Sequence, residues 1–298
     1  MKYGISIIGA GRVGRALGRG LHEKGWRIHS VVNRSESSAR RAVRSIGAGR
    51  SQVSLTTAVL APPVILIAVP ESSIDAVVAS LAAIGASGLR GKVVLYTSGA
   101  LSSAVLAPLR QLGAAVGTIH PLQTFSGVGM PELDGHVFVV EGDRAALLIS
   151  RRIVRNLGGQ IVQFAPTGKM LYHAAAVFAC GHVLALTEAA IQIFASLGMK
   201  RREALKALLP LTRQVLENLQ RVGPRSAWTG PLARGDFRVI ERHQAALRAL
   251  PVEYLQAYRA VNRLAARVLA SAPEAVLGAL DEISAPEEFQ STITEVRA

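Results

Sequence analysis

GISIIGAGRVGRAL, residues 4–17, sets a short apolar run directly against a glycine-rich turn and the start of a helical pattern. A buried strand that enters GxGxxG spacing at Gly9, Gly11 and Gly14 and leaves it as a helix is the setting in which a dinucleotide pyrophosphate is held. Gly9 permits the tight turn, Gly11 lets the backbone approach the anion, and Gly14 allows the helix to pack closely on the strand. The helix N-terminus, with Arg12 and Val13 in its first turn, faces the phosphates. The cofactor-binding set begins with these five residues.

Outward from this motif, Val/Ile-rich runs alternate with segments of helical length as far as residue 165, the pattern of a doubly wound parallel sheet covered by helices. Strands are expected at 4–8, 28–32, 64–69, 92–96, 115–119, 137–140 and 160–163, and helices at 13–24, 37–46, 72–83 and 101–111. After Pro166 only helical patterns remain, at 168–197, 201–222, 237–249 and 252–270, with Pro210 expected to kink the second. The fold class is thus α/β, an N-terminal Rossmann domain (1–165) followed by an all-α domain (166–270). Residues 271–298 read as a short helix and a tail.

Half of the 298 residues are apolar and 18% are charged, enough for two hydrophobic cores. The single cysteine, Cys180, excludes an internal disulfide, and no Cys/His cluster has metal-ligand spacing, so a reducing cytoplasm and no metal are expected. Cys180 reads as a small buried filler. The opening residues lack the layout of a secretory signal, and the apolar stretch 170–187 is interrupted by His173, Gly181 and His182, so no membrane partner is expected. A net charge of +14 would attract phosphates. That charge is dispersed and lacks aromatic platforms, so no nucleic-acid partner is expected either.

Cofactor choice is read at the end of the second strand, VVNRSESS. Asn33, Arg34 and Ser35 stand where an NAD enzyme usually places an acid; a guanidinium with small hydrogen-bonding groups suits a 2′-phosphate, and Arg40 or Arg41 could add charge. NADP is therefore the expected cofactor, NAD the lesser choice. The other reading leaves Arg34 solvated and sends Glu36 to the ribose. Ligands in open α/β sheets lie beyond the carboxyl ends of strands, so Val69-Pro70 and Ser98-Gly99 join the cofactor-binding set; Ser98 also suits a helix cap. His120, with Pro121, Gln123 and Thr124, follows another strand on the same side and is a candidate substrate contact.

GAGRVG, VVNRS, IAVP, the TSG turn, HPLQTF, KMLYHAAAVFA, LLPLTRQVLENL and TGPLARGD occur in this order. Together they resemble Rossmann-like proteins with a C-terminal DUF2520 domain, within the helical superfamily of 6-phosphogluconate dehydrogenase. The resemblance spans roughly residues 1 to 270. It implies the two-domain architecture and homodimerisation, and related branches include β-hydroxyacid dehydrogenases, pyrroline-carboxylate reductases and deazaflavin-linked NADP reductases.

Lys169 and His173 lie one helical turn apart on one face, with Tyr172 beside them, so a proton donor and a polar orienter could share a site. The pair is similar to the lysine that β-hydroxyacid dehydrogenases follow, four residues later, with asparagine and use in acid/base chemistry; here His173 replaces the asparagine. A solvated lysine followed by a core histidine is the competing reading. Cys180-Gly181 stands where relatives have Ser-Asn. In TGPLARGD, Arg234 either clamps an anionic substrate or pairs with Asp236. The whole implies an NADP-dependent oxidoreductase moving hydride to or from a small carbonyl or imine at an inter-domain cleft, with Lys169, His173 and His120 as candidate catalytic residues. The alternative is a non-catalytic dinucleotide-binding regulator.

Overall fold

Strand β1 (Gly4–Ile8) is buried at every position, as a central parallel strand between two helical layers must be. The computed structural model describes residues 3–85 and 88–284. They divide into two compact units, one ending at His182 and the other starting at Val183.

In the first unit, β1 is followed by α1 (Arg12–Glu23), β2 (Arg27–Val32), α2 (Glu36–Ile46), β3 (Arg50–Gln52), β4 (Val64–Ile67), α3 (Ile74–Ile84), β5 (Val93–Tyr96) and α4 (Ala107–Gln111). Then come β6 (Ala115–Pro121), β7 (Val137–Gly142), α5 (Arg144–Asn156), β8 (Gln160–Gln163), α6 (Lys169–Val177) and a π turn, Phe178–His182. The sheet order is β3-β2-β1-β4-β5-β6-β7-β8. All pairs from β3 to β6 are parallel, whereas β7 runs antiparallel to β6. The reversal follows from the connection: residues 122–136 contain no crossover helix, and a chain that returns directly must return antiparallel.

Alternation along the strands feeds two cores. Ile5 and Ile7 of β1 and Val64 and Leu66 of β4 join Leu17, Leu21 and Ile46 of α1 and α2 on one face. Ile8, Ile65 and Ile67 join Ile74, Val78 and Leu81 of α3 on the other. Helix α2 starts where Ser35, in extended backbone, accepts a hydrogen bond from Ser38 N, an N-cap.

The second unit contains α7 (Val183–Ser196), α8 (Arg201–Ala227), α9 (Phe237–Leu247), α10 (Val252–Leu269) and α11 (Pro273–Glu282). Its small core gathers Leu232, Ile240, Ala266, Leu277 and Leu280, with Trp228, Phe237 and Tyr258 packed against it. The expected kink at Pro210 is not the one that forms. Helix α8 keeps helical backbone there and leaves it at Gly223, whose φ of 79° and ψ of 170° only glycine adopts readily. Much apolar surface stays uncovered: Leu171 is 78% exposed and Leu184 71%, and Leu211, Val215, Leu216 and Leu219 of α8 are exposed too. By length and composition the run Pro166–Ser196, which holds an 18-residue window of mean hydropathy 1.7, could cross a membrane. Helix α11 is the short helix expected after residue 270; the expected tail at 285–298 lies outside the described residues.

Candidate active site

The crevice where the winding reverses, between the carboxyl ends of β1 and β4, opens into a groove of about 910 Å³, within the range of small-molecule and cofactor sites. Its floor is the glycine turn. Gly9 has φ +85°, and a Cβ there would fall 2.5 Å from Val69 Cγ1; a Cβ on Gly14 would lie 2.6 Å from the Gly9 carbonyl oxygen. In front of Gly11 there is nothing within 4 Å, so the backbone is bare where a pyrophosphate would approach. The first hydrogen bond of α1 runs from Arg15 N to Gly11 O, after the amides of Arg12, Val13 and Gly14.

Gly9, Gly11, Asn33, Arg34, Ser35, Val69 and Pro70 all line this groove. Asn33 donates its amide to Ala10 O (3.4 Å) and Ser38 O (3.1 Å), tying the glycine turn to α2. Ser35 is the α2 cap. Glu36, the acid of the competing ribose reading, is held by Arg40 at 2.7 Å on an exposed helix turn. Arg34 and Arg41 line the groove without a carboxylate partner among the described residues. The Arg12 side chain turns the other way and donates to Phe125 O at 3.2 Å, against a separate cavity. Only its backbone can serve the groove.

Lys169, His173, His120, Ser98 and Gly99 converge on the neighbouring strand ends. Lys169 opens α6 yet is 1% exposed, because its chain reaches inward to donate from Nζ to Ser98 O (3.0 Å) and Thr118 Oγ1 (2.7 Å). Thr118 in turn donates to Glu141 Oε2 (3.4 Å), and the Glu141 carboxylate accepts from Ser103 N (2.9 Å) and Ser103 Oγ (2.6 Å). Ser98 Oγ donates to Glu71 Oε1 (2.7 Å) and accepts from the Ala100 and Leu101 amides, closing a turn rather than capping a helix as expected; the helical turn that follows starts at Ser103 and is capped by Ser102. His120 belongs to β6 rather than to a loop after it: the strand continues to Pro121 by pairing with β7, which places Thr118 and His120 on one face. The Tyr172 hydroxyl is hydrogen-bonded to His120 Nδ1. The His120 and His173 rings lie 6.0 Å apart over Gly99.

Burial dominates the electrostatics. Lys169 is pushed down to about 8 by desolvation, with the carboxylates of Glu141 and Glu71 pulling it back up. His120 is lowered to about 4, first by burial and then by His173 and Lys169. Burial raises Tyr172 to about 12. At neutral pH the cluster therefore presents neutral imidazole at His120, neutral phenol at Tyr172, and a buried positive charge at Lys169.

Other candidate residues stand apart from the cluster. Gln123 is occupied in fixing the 122–136 loop through Glu132 O and His136 Nε2. Asp236 caps α9, and Arg234 is exposed and unpaired with it. Cys180, expected in a core, is exposed, because the π turn that carries it is sparsely covered. Thr118, Glu141 and Glu71 escaped the sequence reading. A carboxylate closing the apolar run VFVVE was the available signal for Glu141.

The model described as a Rossmann-like domain matches residues 1–121, and that of the domain of unknown function DUF2520 matches 136–265. No curated protein matches the chain. Among solved structures, a Bacteroides fragilis protein provisionally named an NADP oxidoreductase is 23% identical, with 88% of this chain and 97% of that one covered at a TM-score of 0.71. A Thermotoga maritima protein is 25% identical, with 87% and 98% covered and a TM-score of 0.61. A reductive aminase of Aspergillus terreus, solved with NADPH and ethyl-5-oxohexanoate, is 20% identical, with 90% and 94% covered and a TM-score of 0.65. The glycine groove, the doubly wound sheet and the helices that follow it thus agree with both family models, and the chain is a Rossmann-like, DUF2520-containing protein.

Proposed function

We propose that the protein is an NADP-dependent oxidoreductase that transfers a hydride between NADP(H) and a small carbonyl or imine substrate. One observation carries the reading: a bare glycine cradle and a cluster of Lys169, His120 and His173 occupy adjacent strand ends of the same sheet. The likeness to a reductive aminase that holds NADPH supports it.

In this reading Gly9, Gly11, Gly14 and the amides of Arg12 and Val13 take the pyrophosphate. Asn33, Arg34 and Ser35, joined by Arg41, take the ribose and its 2′-phosphate; Val69 and Pro70 flank the middle of the dinucleotide, and Ser98 and Gly99 its nicotinamide end. When bound, the dinucleotide supplies the hydride. The buried Lys169 fixes Ser98 and Thr118 and gives the site a positive charge, while His120 and His173 border the space for substrate. A cytoplasmic setting and a homodimer joined through the uncovered faces of α6, α7 and α8 belong to the same proposal.

Calorimetry with NADPH and NADH tests the cofactor assignment. NADPH should bind more tightly, and Arg34→Ala should remove at least about tenfold of that preference, the scale of one charge-assisted contact. Equal or tighter NADH binding by the parent protein would overturn it.

A further inference from the structure

Reducing C=N or C=O consumes a proton as well as a hydride, and the proposed function leaves the source of that proton open. Lys169 is badly placed to be it. Two of its N–H bonds are spent on Ser98 O and Thr118 Oγ1, its side chain is sealed from solvent, and the Thr118–Glu141–Ser103 chain holds it in place. Such an ammonium braces the ends of β5 and β6 against α6.

Tyr172 lies three residues further along the same face of α6. Its ring is stacked on Phe164, centroids 5.3 Å apart, and meets His120 edge-on at 5.8 Å, so neither ring is free to swing. Its hydroxyl is hydrogen-bonded to His120 Nδ1, and His120 Nε2 has no protein partner among the described residues. A phenol, one imidazole nitrogen and a second nitrogen without a protein partner form a continuous proton path. Burial first, and then His173 and the cation of Lys169, disfavour the charged form of His120.

From this juxtaposition we propose that Tyr172 delivers the proton of the reduction and that His120 replaces it. The inference rests on the oxidoreductase reading. As hydride reaches the substrate carbon, the Tyr172 Oη–H bond breaks and its proton passes to the substrate nitrogen or oxygen. The Nδ1 proton of His120 moves to the phenolate oxygen as Nε2 takes a proton from water, and proton exchange with water then returns the ring to its Nδ1–H tautomer. Both electrons come from NADPH, and one solvent proton is consumed per turnover. Lys169 disfavours imidazolium at His120, which keeps the relay neutral at rest. It is a positioning residue.

The test follows NADPH oxidation with cyclohexanone and allylamine as the probe pair, alongside NADPH binding by fluorescence. Tyr172→Phe should lower kcat at least about a hundredfold, the scale of losing a general acid, while KM and NADPH affinity stay within about threefold. His120→Gln should lower kcat less and change the shape of its pH profile. If the parent consumes NADPH and Tyr172→Phe retains more than about a third of kcat, the tyrosine is not the donor. If the probe pair is not turned over, nitrogen NMR of the NADPH-bound protein decides: Tyr172→Phe should move the His120 Nδ1 resonance, and an unmoved resonance overturns the relay. A parent that fails to bind NADPH would instead overturn the oxidoreductase reading.

Discussion

At Gly99 a single added methyl would fall 2.7 Å from His173 Cδ2 and 2.8 Å from His120 Cε1. The two imidazoles therefore rest directly on backbone, and this crowding keeps His120 from hydrating as a cation. With its pKa lowered from 6.5 to about 4, the folded protein binds fewer protons at His120 than the unfolded chain does between those values. Stability contributed by the neutral ring is complete above pH 6.5 and is lost as pH falls toward 4. We expect urea melts at pH 7 and pH 4.5 to show a steeper acid loss for the parent than for His120→Gln, by at most about 3 kcal/mol for a shift of this size. Equal losses would mean that His120 titrates normally. Residues of this kind were only half legible. His120 and Lys169 stood out by type and position, but their partners Thr118 and Glu141 meet only when two antiparallel strands align, which no local spacing announces.

Helix α8 shows how element-level reading succeeds in existence and fails in detail. Its apolar spacing marks a helix, and a proline inside a helix ordinarily bends it. Pro210 is nevertheless accommodated on an exposed turn, and the break falls at Gly223. Opposite responses should follow. Pro210→Ala restores a missing amide in intact helical backbone and should raise the thermal midpoint; Gly223→Ala forces φ +79° on a residue with a side chain and should cost about 1–3 kcal/mol. Melts that shift in the same direction would contradict this account. Elsewhere, β3 was missed because Arg50-Ser51-Gln52 is short and polar, a strand made by its pairing with β2. Helix α5 has no counterpart among the expected helices, although Ala146, Ser150, Ile153 and Val154 repeat at helical spacing and are buried. The strands of the doubly wound sheet were legible because burial on both faces makes them continuous apolar runs.

On the scale of the whole molecule, the proposed homodimer rests on the exposed leucines along α6, α7 and α8, since uncovered apolar surface marks an interface. Light scattering at micromolar concentration should give the mass of two 31.5 kDa chains, and Leu184→Glu should shift the population toward one; a monomeric parent would refute the homodimer. The direction change at β7 has a consequence of another kind. The two family matches meet in the 122–136 connection, but β7, α5 and β8, which lie within the second match, complete the sheet that the first begins. A cut at that border would strip β6 of its neighbour and leave a hydrogen-bonding edge and the apolar face under Phe138 and Val140 open to other chains. The borders of the two family matches and the borders of the sheet therefore divide this polypeptide at different places.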